Sequence, residues 1–143
     1  MVRVVFDTNV FVSAFIQPKS PPGQLLAKLI QGDGFELVLS ACILDEIRRA
    51  LRHPKVRKRI KLDDDDLDLR VTMLGLLSTT VTASSDAVSG VSRDADDDAI
   101  LAAAVEGCAD YIVTGDQDLL AIGDYQSIRI VTPRAFLQRL NTP

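Results

Sequence analysis

The 143-residue chain has no run of apolar residues near the roughly 20 needed to cross a bilayer as a helix, so no membrane span is expected. It has only two cysteines, Cys42 and Cys108, far apart and each within an apolar helical stretch. Their separation suits neither a zinc site nor the disulfide framework of a secreted domain, and buried, unpaired thiols are expected. A secretory leader is not expected either. Met1–Ile16 opens with Arg3 and apolar residues, but Asp7 and Asn9 interrupt them and no small-residue cleavage site follows. A cytoplasmic location is the resulting expectation. Internal repeats are absent, and the length suits one domain over residues 1–143.

What is present is an ordinary globular composition, 47% hydrophobic and 25% charged, with an uneven charge distribution. Eight of the sixteen Lys and Arg residues fall between Arg48 and Lys61: Arg48, Arg49, Arg52, Lys55, Arg57, Lys58, Arg59 and Lys61. No acid interrupts them, and the only histidine, His53, lies among them. That window takes +8 out of a net −4, leaving −12 for the remainder. Such segregation suits a basic strip for phosphates beside an acidic body. It equally suits a solvated helix face with its positive charges near a helix C-terminus.

Strands and helices alternate along the chain. Val2–Phe6 is a continuous β-branched and aromatic run, the pattern of a buried parallel strand. Val10–Ile16 reads as a short helix ended by the Pro18–Pro22 loop, and Gly23–Gln31 as a helix terminated at Gly32-Asp33-Gly34. Phe35–Leu39 is a second strand, and Ser40 caps a helix over Ala41–Leu51 that Pro54 stops or kinks. The acids Asp63–Asp66 open a helix to about Leu77, and Thr79–Thr82 is a weaker strand. Ser84–Ser92 reads as a loop, and Asp94 as the cap of a helix to about Gly107. Tyr111–Thr114 and Ile128–Val131 are further strands, and Thr132 caps a last helix with Pro133 at its first position. This alternation predicts an α/β fold with a parallel sheet and helices on both faces, whose site lies beyond the carboxyl ends of the strands.

Acids stand at those ends. Asp7 follows the first strand and Asp116 the fourth; Asp96, Asp97 and Asp98 begin the helix before the fourth strand, and Glu46 lies on the helix after the second. Each has a structural reading: Asp7 as a helix cap, Asp116 as a turn residue, the Asp96–Asp98 run as a complement to a helix dipole. Together they form a set that repels itself without cations. A carboxylate site without His or Cys suits Mg²⁺ or Mn²⁺, the ions that assist phosphodiester hydrolysis. Asp45 has Arg48 and Arg49 at i+3 and i+4 and reads as a surface ion pair. Glu46 has Cys42, Ile43 and Ala50 around it, a half-apolar face where an acid needs a partner, and is preferred. Periodicity does not choose among Asp96, Asp97 and Asp98, because Ala99–Val105 is apolar on every side.

Phe6-Asp7-Thr8-Asn9-Val10, Leu44-Asp45-Glu46-Ile47, Asp98 before Ala99-Ile100-Leu101-Ala102-Ala103-Ala104, and Val113-Thr114-Gly115-Asp116-Gln117-Asp118-Leu119 resemble, in order, the motifs of PIN-domain ribonucleases. The nearest resemblance is to stand-alone, VapC-like toxins of toxin–antitoxin pairs. It implies a Rossmann-like three-layer α/β/α sandwich with a parallel sheet of about five strands, and Mg²⁺- or Mn²⁺-dependent cleavage of RNA. It carries metal-site roles onto Asp7, Glu46, Asp98 and Asp116, with Asp97 as reserve for the third acid and Asp118 as an additional ligand. Asn9 and Thr114 match as hydrogen-bonding supports. An antitoxin partner and a homodimer are also implied, the latter consistent with a mean hydropathy of +0.15. Arg48, Arg49, Arg52, Lys55, Arg57, Lys58 and Arg59 are then candidate RNA contacts.

Phosphotransfer proteins are the rival class. Haloacid-dehalogenase-type phosphatases carry a second Asp where Asn9 stands, and a Lys after a later strand that is missing here. A response-regulator receiver needs a Lys after its fifth strand, where this chain has Val131-Thr132-Pro133. A catalytically silent PIN fold that only binds RNA or protein would show lost acids, and all four are present.

Overall fold

The structure is a computed structural model that describes residues 1–32, 34–82 and 95–142. Six strands form one sheet: β1 (Val2–Phe6), β2 (Phe35–Ser40), β3 (Thr79–Val81), β4 (Tyr111–Val113), β5 (Asp124–Tyr125) and β6 (Ile128–Val131). Their order is β3-β2-β1-β4-β6-β5, parallel throughout except for the β5–β6 pair. The eight helices of the described residues are α1 (Thr8–Ile16), α2 (Pro21–Ile30), α3 (Ala41–Arg52), α4 (Pro54–Arg57), α5 (Asp64–Leu77), α6 (Ala95–Glu106), α7 (Gln117–Ile122) and α8 (Pro133–Asn141).

Alternation along the strands sorts the layers. Val4 and Phe6 share a face with Leu37 and Tyr111 through the β1 ladders, and there Phe6 meets Phe11 of α1 while Phe35 and Tyr111 meet Phe136 of α8. The opposite face receives α6, whose Leu101, Ala103 and Ala104 are wholly buried. Small residues let this helix lie close to the sheet. The limit is Gly107, where a Cβ would stand 2.5 Å from Cγ1 of Val38, so only glycine fits. The expected α/β/α sandwich is therefore the observed one.

Several boundaries differ from expectation. The helix expected from Val10 begins at Thr8, and the one expected from Gly23 begins at Pro21, because the Ser20 hydroxyl accepts from the Gly23 amide and two prolines occupy the first turn. The third strand stops at Val81. The sheet has six strands rather than about five: β5 is a two-residue antiparallel edge, too short to leave a pattern, and α7 precedes it. Cys42 and Cys108 are free but exposed, not buried; Cys42 lies on the solvent side of α3, and Cys108 has a positive φ of 52° just after α6. The Ser84–Ser92 loop, the Asp94 cap and Asp33 lie outside the described residues. Ser40, Asp63 and Thr132 do cap their helices, accepting from the amides of Ile43, Asp66 and Ala135.

Candidate active site

From β1 the chain crosses to β2 on one side, while β4 lies on the other. The order in which the chain adds strands thus reverses between β1 and β4, which remain parallel, and in such folds the carboxyl ends of the strands at this switch point are where a ligand crevice forms. Asp7 stands at the end of β1, its amide donating to the Val113 carbonyl at 2.9 Å. Thr114 follows β4, its amide donating to the Val131 carbonyl at 3.0 Å. Backbone ladders therefore hold both residues at the crevice.

Thr114 is fully buried, and its hydroxyl joins the two acids. It donates to Oδ2 of Asp7 at 2.7 Å and accepts from the amide of Asp116 at 2.9 Å. Asp116 in turn caps α7, its Oδ1 accepting from the Asp118 amide at 2.9 Å. The structural role of Asp116 is thus a helix cap, where a turn was expected. Asp7 occupies the cap position of α1 without a well-formed side-chain cap hydrogen bond, although the amides of Thr8 and Asn9 favour its charged form. Its direct side-chain partner is the Thr114 hydroxyl.

Asp7, Asp97 and Asp116 each offer a carboxylate oxygen within 4.8 Å of the others. Asp7 and Asp97 are buried and Asp116 is half-buried. Burial pushes the Asp7 carboxyl above its ordinary range. The Thr114 hydroxyl and the amides of Thr8 and Asn9 oppose that rise, and the charge of Asp116 adds to it. The buried hydroxyl of Thr8, the next residue, has no hydrogen-bond partner among the described residues. The three crowded carboxylates form an all-oxygen donor set, with no nitrogen or sulfur, that suits a hard divalent ion such as Mg²⁺ or Mn²⁺.

Of the expected acids, Asp7 and Asp116 meet here, and Asp97, the reserve, supplies the third corner. Asp98 is buried one residue on and Glu46 is half-buried on α3; neither belongs to the mutual group, although both, like Asp97, have a polar or electrostatic partner. Asn9 and Asp118 are exposed. Thr8 was not singled out from sequence; a threonine in the first turn of a helix carries no signal that its hydroxyl is buried without a partner.

The basic strip divides. Arg57 is engaged structurally: Nε and Nη2 reach Oδ1 of Asp64 at 2.9 and 2.8 Å, while Nη1 and Nη2 donate to the carbonyls of Ile60 and Leu62. Arg48 meets Asp45 at 3.9 Å, the surface pair expected for Asp45. Arg49, Arg52, Lys55, Lys58 and Arg59 are exposed.

Known proteins resemble this chain in sequence and in fold. The chain is 32% identical over 145 residues to the uncharacterized protein MJ1680 of Methanocaldococcus jannaschii, covering 96% of this chain and 90% of that one. The crystal structure of PAE2754 from Pyrobaculum aerophilum superposes with a TM-score of 0.64 at 15% identity, over 99% of this chain and 90% of that chain, a likeness of fold. The sequence model of the PIN domain matches residues 3–118, a span that begins in β1 and takes in all three acids of the crevice. The chain belongs to the PIN-domain family, whose members are generally nucleases.

Proposed function

We propose that the chain is a Mg²⁺- or Mn²⁺-dependent endoribonuclease and the toxin component of a type II toxin–antitoxin pair. The observation that carries the catalytic part is the closure of Asp7, Asp97 and Asp116 within 4.8 Å at the switch point. The toxin role and the antitoxin partner rest on the motif resemblance; Asp98, Glu46 and Asp118 are retained as outer members of the acid set. When bound, the ion would supply charge neutralisation and water activation at the phosphodiester. The protein's own work is positioning. Thr114 holds the Asp7 carboxylate in one orientation, and the Asp118 amide holds that of Asp116. The exposed bases beyond Arg49 offer phosphate contacts along α3 and α4.

A cleavage assay on single-stranded and structured RNA, with Mn²⁺ or Mg²⁺ against EDTA, tests this reading. Wild type is expected to cut only with metal, and Asp7→Asn and Asp97→Asn to lose at least about a hundredfold, by analogy with removal of one electrostatic donor. Asp98→Asn alongside Asp97→Asn identifies the third site acid. Activity surviving in EDTA, or in Asp7→Asn, would sink the metal-centre reading.

A further inference from the structure

On the far side of the sheet from β3, mostly beyond the matched residues, the chain builds a second charged feature. Residues 125–143 contain Arg129, Arg134 and Arg139 and no acid, in a chain of net charge −4. Arg129 and Arg139 converge on one pocket of about 400 Å³, lined also by Tyr111, Phe136 and Thr142. Tyr111 and Arg129 are Cα partners in the β4–β6 ladder, so their side chains leave the sheet on the same face and side by side. Arg139 comes from α8, its guanidinium held 5.1 Å from the centre of the Tyr111 ring. A guanidinium lying over a ring keeps its N–H edge free to donate. Asp124 is the Cα partner of Arg129 across the β5–β6 pair, and the Asp110 carbonyl accepts from the Arg129 amide. Even so, neither Arg129 nor Arg139 is in an ion pair within 4.0 Å among the described residues.

Two unpaired guanidiniums around one small pocket repel each other and favour an anion between them. Their planar forks match phosphate oxygens, and the stacked Arg139 loses little freedom on binding. We propose that this pocket binds a phosphate group, and that its source is the backbone of the RNA bound by the same chain. Tyr111 starts β4 while Thr114 follows it, so the pocket lies about 10 Å or more from the acids at the rise of a strand. A phosphate there belongs to a remote part of the bound strand, not to the bond being cut. The choice of RNA rests on the proposed nuclease function; the phosphate chemistry does not.

The test is binding of a single-stranded RNA oligonucleotide by anisotropy in EDTA, where no cleavage is required. Arg129→Gln/Arg139→Gln is compared with wild type and with Arg134→Gln, which removes a charge of α8 outside the pocket. The double variant is expected to bind about tenfold more weakly and to lose about 1.4 from its salt slope, at roughly 0.7 for each phosphate contact. Arg134→Gln is expected to bind as wild type does. An equal loss in Arg134→Gln would reduce the effect to general charge and overturn the site. Inorganic phosphate, titrated while the Tyr111 resonances are followed by NMR, forms the second arm. A phosphate response abolished in the double variant, with RNA affinity unchanged, would overturn the RNA source in favour of a free phosphate ligand. No change in either arm would overturn the pocket altogether. Because binding is read without metal, these outcomes stand apart from any failure of the acid centre to cleave.

Discussion

Asp7 illustrates the tension of the site at the scale of one residue. The fold buries its carboxyl beside Asp116, and the native state therefore holds the proton more tightly than the unfolded chain, whose value lies near 3.8. A raised native value contributes stability that is complete below the unfolded value and is lost as pH rises through the native one. In EDTA, wild type is expected to lose stability relative to Asp7→Asn as pH climbs from the acid side of that value towards neutrality, and to level off once the native carboxyl is ionised. Asparagine still accepts from Thr114 and carries no charge to desolvate. Melting curves of both proteins across that range check the sign. Saturating Mn²⁺ should invert the order, adding about 2.7 kcal/mol to wild type at a hundred times the dissociation constant. A metal-free Asp7→Asn that melts below wild type at neutral pH would mean that the carboxylate is structural.

At the scale of elements, the basic strip is two devices in one stretch of chain. His53 ends α3 and starts α4, its Nδ1 accepting from the Lys55 amide, and Arg57 then ties the following loop to the first turn of α5. The distance from Ser40 along α3 matters as well. At 1.5 Å per residue, Arg52 lies about 18 Å from the end of β2. Arg52 therefore stands well beyond the strand ends where Asp7 and Asp116 meet, a span that suits an extended strand of RNA. Arg57→Gln is expected to cost about 1–3 kcal/mol in denaturant melts, because it strips partners from two carbonyls, and to leave the salt dependence of RNA binding unchanged. Lys58→Gln/Arg59→Gln should stay within about 0.5 kcal/mol of wild type in stability. The same variant should lower the salt slope by about 1.4. The opposite pattern would assign the phosphate contacts to Arg57.

The whole molecule leaves apolar surface uncovered along α5. Leu69, Leu76 and Leu77 are 58%, 80% and 44% exposed, and Leu69 and Leu77 border a cleft of about 270 Å³ shared with Phe15 of α1 and Ile30 of α2. Among the described residues no helix is long and apolar enough to cross a membrane. A second copy of the chain is the proposed cover, in keeping with the homodimer implied by the resemblance. Light scattering at high micromolar concentration is expected to show a dimer. Leu69→Ser/Leu76→Ser should weaken it about a hundredfold or more, at about 1.5 kcal/mol or more for each leucine buried. A wild-type monomer at that concentration would remove the proposal.

The order and type of most elements can be read from residue pattern, because burial is written there as period. Val2–Phe6 and Phe35–Leu39 read as interior strands from their apolar runs, and Ser40, Asp63 and Thr132 start their helices through local chemistry that needs no distant partner. Asp7 and Asp116 were legible for the same reason: each follows a recognisable strand. Tertiary structure alone decided the rest. Asp97 and Asp98 are both buried at the start of a helix that is apolar on every side, so nothing local says which carboxylate turns towards Asp7. Arg57 reads in sequence as one base among eight, and becomes a structural staple only because Asp64 and two carbonyls converge on it. The phosphate pocket needs β4, β6 and α8 in contact before Arg129 and Arg139 can share it. Local pattern records what one segment buries; which side chains meet depends on the packing of segments far apart in the chain.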